Sequence, residues 1–283
     1  LSMVNDSKME YATITSSVRN IFVNQSARVS FRHFTLVGFG FHFDGSNVDC
    51  FATHTFDTIT LNSRPVSYQA NRNKPNVVGG PYGQVIIANC ESATVRDMIT
   101  NPIQNAYVGI AVYYSIDTTL LSCRVTTADY AGILISNSEG TMVRNCNLQS
   151  NTGSFGALYI KESNDTEVMD SLFHANGYGI WQMYSRGTYI HNSNFTNNLY
   201  IAIEIQHSTG SMLVQNRFQN NQIYNLESWN CTLETYQYNQ FASFNYAGIR
   251  SVANYDCIIK GNSFKSGQNT NGIYLEATDY CQI

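Results

Sequence analysis

One apolar ring or branched side chain recurs at Val125, Leu148, Phe173, Phe195, Phe218, Phe241 and Phe264, at a nearly constant spacing in the low twenties. Such a period, carried by short strand-like segments, is what a solenoid produces when each repeat forms one coil. Residues one period apart then stack on neighbouring coils, so columns of the sequence become lines on a surface. A second column, Ser115, Ser138, Ser163, Ser185, Ser208, Cys231, Asn254 and Thr278, keeps the same register. A third, Asn151, Asn176, Asn198 and Asn221, follows shortly after the apolar one in each coil. Stacked Ser and Asn side chains at a turn satisfy their own backbone and the amide of the next coil.

Before each Ser-type position runs an alternating strand, as in Gly109-Ile110-Ala111-Val112 and Gly179-Ile180-Trp181-Gln182. Period-two alternation sends one set of side chains inward and the next outward. The inward set is Ile110, Ile133, Leu158, Ile180, Ile203, Leu226, Ile249 and Ile273. Each such side chain contributes roughly 1.5–3 kcal/mol on burial. Gln182, Ser228 and Ser251 also point inward and need hydrogen-bond partners. Residues 1–83 read as earlier, irregular coils, and 84–283 as regular ones that stop in the middle of a coil, as expected of a piece of a longer protein. Within the first part, the segment 64–83 holds three of the four prolines and three glycines, which predicts a projecting loop overhanging the wall of strands.

Only 13% of residues are charged and the net charge is −4, without a basic stripe, which argues against nucleic acid as a partner. No apolar run reaches ~18 residues, so no membrane insertion is expected. The seven cysteines are an odd number. Cys123 and Cys146, and Cys257 and Cys281, fall on adjacent coils and read as stacked, buried small side chains rather than bridges. No CxxC or HxxxH spacing suggests zinc, and no metal-binding residues and no cofactor are assigned. The acids are too dispersed for a calcium cage apart from one pair, which leaves metal dependence open.

A repeat of Gly-Ile-x-Val, then Ser, then Asn-x-Phe-x-x-Asn resembles the pectin-lyase-like superfamily, and covers the chain from about Gln84 onward. The resemblance implies an all-β, single-stranded right-handed parallel β-helix and chemistry on polysaccharides. The Asn-Thr-Asp, Asp-Asp and Gly-His-Gly set of polygalacturonases is absent. So are the Asp-Pro-His-Glu segment of mannuronan epimerases and the Arg-x-Pro-x-x-Arg of pectate lyases. In style, with coils rich in Asn and Tyr, few charges and no leader, the chain looks most like a bacteriophage tailspike. That likeness implies a virion or extracellular homotrimer whose partner is a bacterial capsular polysaccharide or O-antigen.

The outward positions carry the candidate site. One column reads Ala111, Leu134, Tyr159, Trp181, Glu204, Glu227, Arg250, Tyr274, and the next reads Tyr113, Ser136, Lys161, Met183, Gln206, Trp229, Val252, Glu276. Two glutamates stacked on adjacent parallel strands lie about 4.8 Å apart at the backbone, and such repulsion raises one pKa. A sheet built only for stability would avoid it. One carboxylic acid and one carboxylate beside aromatic rings is what a glycosidase needs. Glu204 and Glu227 are therefore the expected catalytic pair of an endo-acting glycoside hydrolase. Trp181, Trp229, Tyr159, Tyr274, Gln206, Arg250, Lys161, Glu276 and His207 are expected to bind substrate. The alternatives are a lyase on a uronic-acid polymer, with Lys161, His207 or Arg250 as base or neutraliser, and a non-catalytic glycan-binding shaft. Asp44, His54 and Asp57 form a secondary acidic candidate, and Glu162 another at the groove edge.

Overall fold

The structure, a computed structural model, describes residues 1–15, 21–265 and 270–283. It is a right-handed parallel β-solenoid of about 23 residues per coil. It has three long sheets, of 13, 9 and 8 strands among the described residues. The 13-stranded one extends over the whole solenoid and is the wall that carries the candidate site, and the other two begin at Asn76 and Ile103. A typical coil comprises the wall strand Ile180–Met183, then Tyr189–His191 and Asn194–Thr196.

The columns read from the sequence are the registers of these sheets. Phe173 pairs with Phe195, Phe195 with Phe218, and Phe218 with Phe241. Their rings stack 4.7, 5.0 and 4.8 Å apart. At the corner after the wall, the amides of Ser115, Ser138, Ser163 and Ser185 each donate to the hydroxyl of the next coil's Ser, at 3.1–3.2 Å. At the corner before it, the Asn151, Asn176 and Asn198 amides donate at 3.0 Å to the side-chain oxygen of the next Asn. The inward polar residues find partners too: Gln182 Nε2 donates to Ser211 Oγ at 2.9 Å, and Asn254 Nδ2 to Ser228 Oγ at 2.7 Å. Gly179 opens its wall strand because a Cβ there would lie 2.4 Å from the Ala202 carbonyl.

Two expectations fail. The segment 64–83 does not project. Arg64–Ala70 is a wall strand parallel to Gln84–Ala88, and Asn76–Val78 pairs with Thr94–Arg96. Val66 is the register partner of Gln84, so this coil is shorter than the others and falls outside the common period. Pro65 is the second residue of its strand, next to the hairpin turn, while Pro75 and Pro81 lie between strands. The hairpin turns on Asn62 and Ser63, both at positive φ (51° and 64°), and reverses the chain between Thr55–Leu61 and Arg64–Ala70. Second, Cys257 and Cys281 form a disulfide between adjacent coils, their Cα atoms 4.5 Å apart, within the range a bridge spans. Cys123 and Cys146 remain free, buried thiols.

The interior holds one charge-bearing residue that the columns do not call for. Thr118, Thr141, Thr166, Thr188 and Ser211 line one buried column, and Glu234 takes the next place with no exposed surface. It accepts from the Ser211 amide at 3.3 Å, and burial pushes its pKa from 4.5 up to about 8. The folded protein therefore holds a proton there that the unfolded chain has lost above pH ~5. Stability is fully present below the ordinary glutamate pKa and declines as pH rises toward 8. The difference amounts to a few kcal/mol, at about 1.4 kcal/mol per unit. Melting temperatures of the protein and of Glu234→Gln, compared from about pH 5 to 8.5, are expected to converge at the acid end, with the wild type falling progressively below the variant. Parallel curves would contradict a buried, protonated Glu234.

Candidate functional site

Glu204 and Glu227 are register partners on the adjacent wall strands Ile203–Gln206 and Tyr224–Trp229. The parallel ladder leaves no choice: both occupy the same outward position one rung apart. Their surroundings differ. Glu204 is buried, and burial first, the Glu227 charge second, push its pKa from 4.5 up to about 7, while a hydrogen bond from the Gln206 amide opposes them. Glu227 is ion-paired with Arg250 on the next rung. Arg250 also reaches Glu276 at 3.4 Å, and its guanidinium lies 5.5 Å from the Tyr224 ring and 6.0 Å from that of Tyr274. The site thus keeps an acid that holds its proton near neutrality beside a carboxylate whose charge is matched by a cation.

The structure gathers Trp181, Gln206, Arg250, Tyr274 and Glu276 around this pair. Trp181 is the rung partner of Glu204, its ring 4.8 Å from Tyr178 and 4.9 Å from Phe155, and its indole N–H is buried without a partner. Such a donor suits a ligand oxygen. Trp229 and His207 stand one column over. Trp229 is exposed and edge-on to His207 at 4.9 Å. His207 sits at positive φ (48°) in the corner, stacked on Tyr184 at 5.0 Å, its Nδ1 accepting from Asn230 at 2.8 Å.

Tyr159 and Lys161 stand two rungs before Glu204. Tyr159 is buried face to face with Phe155 at 4.1 Å, and burial pushes its hydroxyl pKa well up. Lys161 is 3.6 Å from Glu162, which accepts from Asn137 at 2.9 Å. The expected patch of Asp44, His54 and Asp57 does not form. Asp57 pairs with Arg32 at 3.1 Å, and His54 is buried between the Val29 amide and the Cys50 carbonyl. Asp44 instead faces the cleft that holds Lys161 and Glu162.

Sequence reasoning overlooked the row of rings bordering the floor. Tyr107, Tyr130, Phe155, Tyr178, Tyr200 and Tyr246 share the corner before the wall. Successive rings approach to 4.9 Å at Tyr107–Tyr130, 4.8 Å at Tyr130–Phe155 and 5.3 Å at Tyr178–Tyr200. With Ile223 between the last two, the row keeps the coil period throughout, a signal present in the chain. It lies at a turn, where alternation does not point to it.

A profile of the family described as "Periplasmic copper-binding protein (NosD)" matches residues 57–242. Among solved structures, the chain is similar to a D317A mutant of the periplasmic alginate epimerase AlgG, with 9% identity, a TM-score of 0.54, and 94% of this chain and 76% of that one covered. It is also similar to an alginate lyase from Paenibacillus sp. str. FPU-7, with 10% identity, a TM-score of 0.41, and coverage of 96% and 99%. The Dettilon tailspike protein (gp208) matches with 12% identity, a TM-score of 0.43, and coverage of 95% and 61%. No curated protein sequence matches the chain. At these identities the likeness is one of fold.

The unlike surroundings of the two glutamates give a direct test. A carboxyl-carbon NMR titration is expected to show one glutamate titrating near pH 7, absent from Glu204→Gln and moved toward the ordinary value in Glu227→Gln, where the neighbouring charge is gone. A signal that stays near 7 in Glu204→Gln would assign it to another residue.

Proposed function

The chain belongs to the family described as "Periplasmic copper-binding protein (NosD)", and we propose that it is a polysaccharide-cleaving enzyme, a glycoside hydrolase acting on a bacterial surface glycan such as a capsule or O-antigen. The observation that carries this reading is the division of labour between stacked carboxyls. Glu204 is protonated up to about pH 7 and serves as the acid that donates to the leaving glycosidic oxygen. Glu227, set against Arg250, serves as the nucleophile or as the base that activates water. Trp181 and the bordering tyrosines offer apolar faces on which sugar rings stack, and the Trp181 N–H offers a donor to a hydroxyl.

The lyase reading needs a cation free to neutralise a uronate. Arg250 is engaged by Glu227 and Glu276, Lys161 by Glu162, and His207 by Asn230. Those engagements favour hydrolysis. The "periplasmic" of the family description, together with the Cys257–Cys281 bridge, supports a location outside the cytoplasm, where disulfides persist.

Copper, named in the family description, needs thiolates, thioethers or imidazoles brought together. Among the described residues no three His, Cys, Asp or Glu side chains lie close enough to hold a metal ion. Cys123 and Cys146 are buried in the core, their thiols directed to the backbone carbonyls of Val95 and Leu120. The described His, Cys, Asp and Glu side chains do not gather into a copper site.

Release of reducing ends from a panel of capsular and O-antigen glycans, followed against pH, tests the reading. Activity is expected to fall as pH rises through about 7, where Glu204 loses its proton. Glu204→Gln and Glu227→Gln are each expected to lose at least ~100-fold in kcat with binding retained. An ultraviolet-absorbing unsaturated product would instead identify a lyase, and binding without product a non-catalytic shaft.

A further inference from the structure

The expected endo-action requires a groove open at both ends, and one end of this groove is closed. The outward side chains of the first regular wall strands are fully covered: Ile86 has 0% exposure, Ala111 1%, Tyr113 2% and Leu134 4%. The covering comes from the strand Phe41–Asp44 and the short helix Asp49–Ala52. Phe51 packs 4.5 Å from the Tyr113 ring, and His42 lies 4.8 Å from both Tyr107 and Tyr130.

This cover is fastened down. Gln84, buried at the head of its wall strand, accepts from the Phe41 amide at 3.0 Å and donates to the carbonyls of Phe41 and Val108 at 2.7 and 2.9 Å. The Tyr68 hydroxyl donates to the Phe51 carbonyl and the Asn71 side chain to that of Ala52, each at 2.7 Å. Side-chain bonds of this kind, buried at Gln84 and part-buried at Tyr68 and Asn71, with aromatic packing beside them, make a fixed end-wall rather than a lid. Past it the face opens. Trp181, Met183, Gln206 and Glu227 are part-exposed, and Trp229 is exposed.

At the seam between cover and open floor lies a cleft lined by Asp44, Tyr130, Ser136, Tyr159, Lys161 and Glu162. The cleft is small, about 60 Å³, and its rings are packed against their neighbours. What it offers a sugar is a polar edge, the Asp44 and Glu162 carboxylates with the Lys161 ammonium, suited to the hydroxyls at the rim of a terminal unit. From the rung of Lys161 to the gap between Glu204 and Glu227 is two and a half rungs, about 12 Å at ~4.8 Å per rung. That is room for about two to three pyranose units lying along the solenoid axis.

We infer that the enzyme acts on chain ends. The terminal sugar of a glycan stops against the N-terminal cover with its rim hydroxyls at the mouth of the cleft, and the bond cut is the one that then lies over the glutamate pair, so each event releases a short oligosaccharide of fixed length. The inference rests on the acid–base reading of Glu204 and Glu227, and its tests separate the two.

Products from a long polysaccharide that the enzyme cuts are followed by mass spectrometry, with solution viscosity recorded in parallel. One short oligosaccharide is expected from the first time points, with viscosity falling only in proportion to the reducing ends released. A broad ladder of sizes with an early collapse of viscosity would overturn end-recognition while leaving the catalytic pair intact. Asp44→Asn and Lys161→Ala are expected to raise KM about 10-fold with little change in kcat, and an unchanged KM in both would count against the cleft.

Binding supplies a readout independent of catalysis. Glu204→Gln is titrated with oligosaccharides made by partial acid hydrolysis of the same polysaccharide, either unmodified or blocked with a bulky label at one end or the other. Blocking one particular end is expected to weaken binding about 10-fold or more. Indifference to both labels overturns the proposal, and a glycan panel from which nothing is released overturns it together with the reading on which it rests.

Discussion

Everything in this molecule depends on the parallel pairing of each coil with the next in an almost constant register. A strand edge needs another strand beside it, and the solenoid supplies one in each coil. The corners obey the same rule through side chains. Each Ser or Asn donates or accepts toward its counterpart one coil on, so that polar groups buried inside the turns are paired. Such a fold cannot place residues independently. Whatever stands at one outward position faces its counterpart above and below.

That constraint gives Glu204 an environment unlike that of its neighbour. Glu204 cannot avoid Glu227, since the two share a column, and its burial beside Trp181 adds to the effect of that charge. The next rung brings Arg250, which matches the charge of only one of the two. An asymmetric pair results from three successive residues in one column. The closed end of the groove comes from a different source, the N-terminal coils, which a two-residue hairpin at Asn62 and Ser63 sends back antiparallel to the wall.

What could be read from the chain was what repeats. The Phe, Ser and Asn columns gave the coil length and the inner and outer faces, and from those the Glu204–Glu227 adjacency followed without coordinates. The residues that escaped were those that break the repeat or sit where alternation says nothing. The coil that begins at Arg64 falls short of the common period, and its prolines mimic a loop. The Tyr row stands in turns. The cover over Ile86 and Tyr113 depends on contacts between segments far apart in sequence, such as Phe51 with Tyr113, for which no local pattern exists. Cys257 and Cys281 occupy matching places just as Cys123 and Cys146 do, yet only the first two are bridged, and spacing alone gives both pairs the same address.

The central claim is that the Glu204–Glu227 rungs are where a glycosidic bond is broken, and a crystal structure of Glu204→Gln soaked with an oligosaccharide of its substrate addresses it most directly. The account predicts a sugar chain lying along the wall, with a glycosidic oxygen within hydrogen-bond reach, about 2.6–3.2 Å, of the side chain at position 204, and the adjoining anomeric carbon turned toward Glu227. A chain bound on either of the other two sheets, or across a boundary between subunits with both positions untouched, would contradict it.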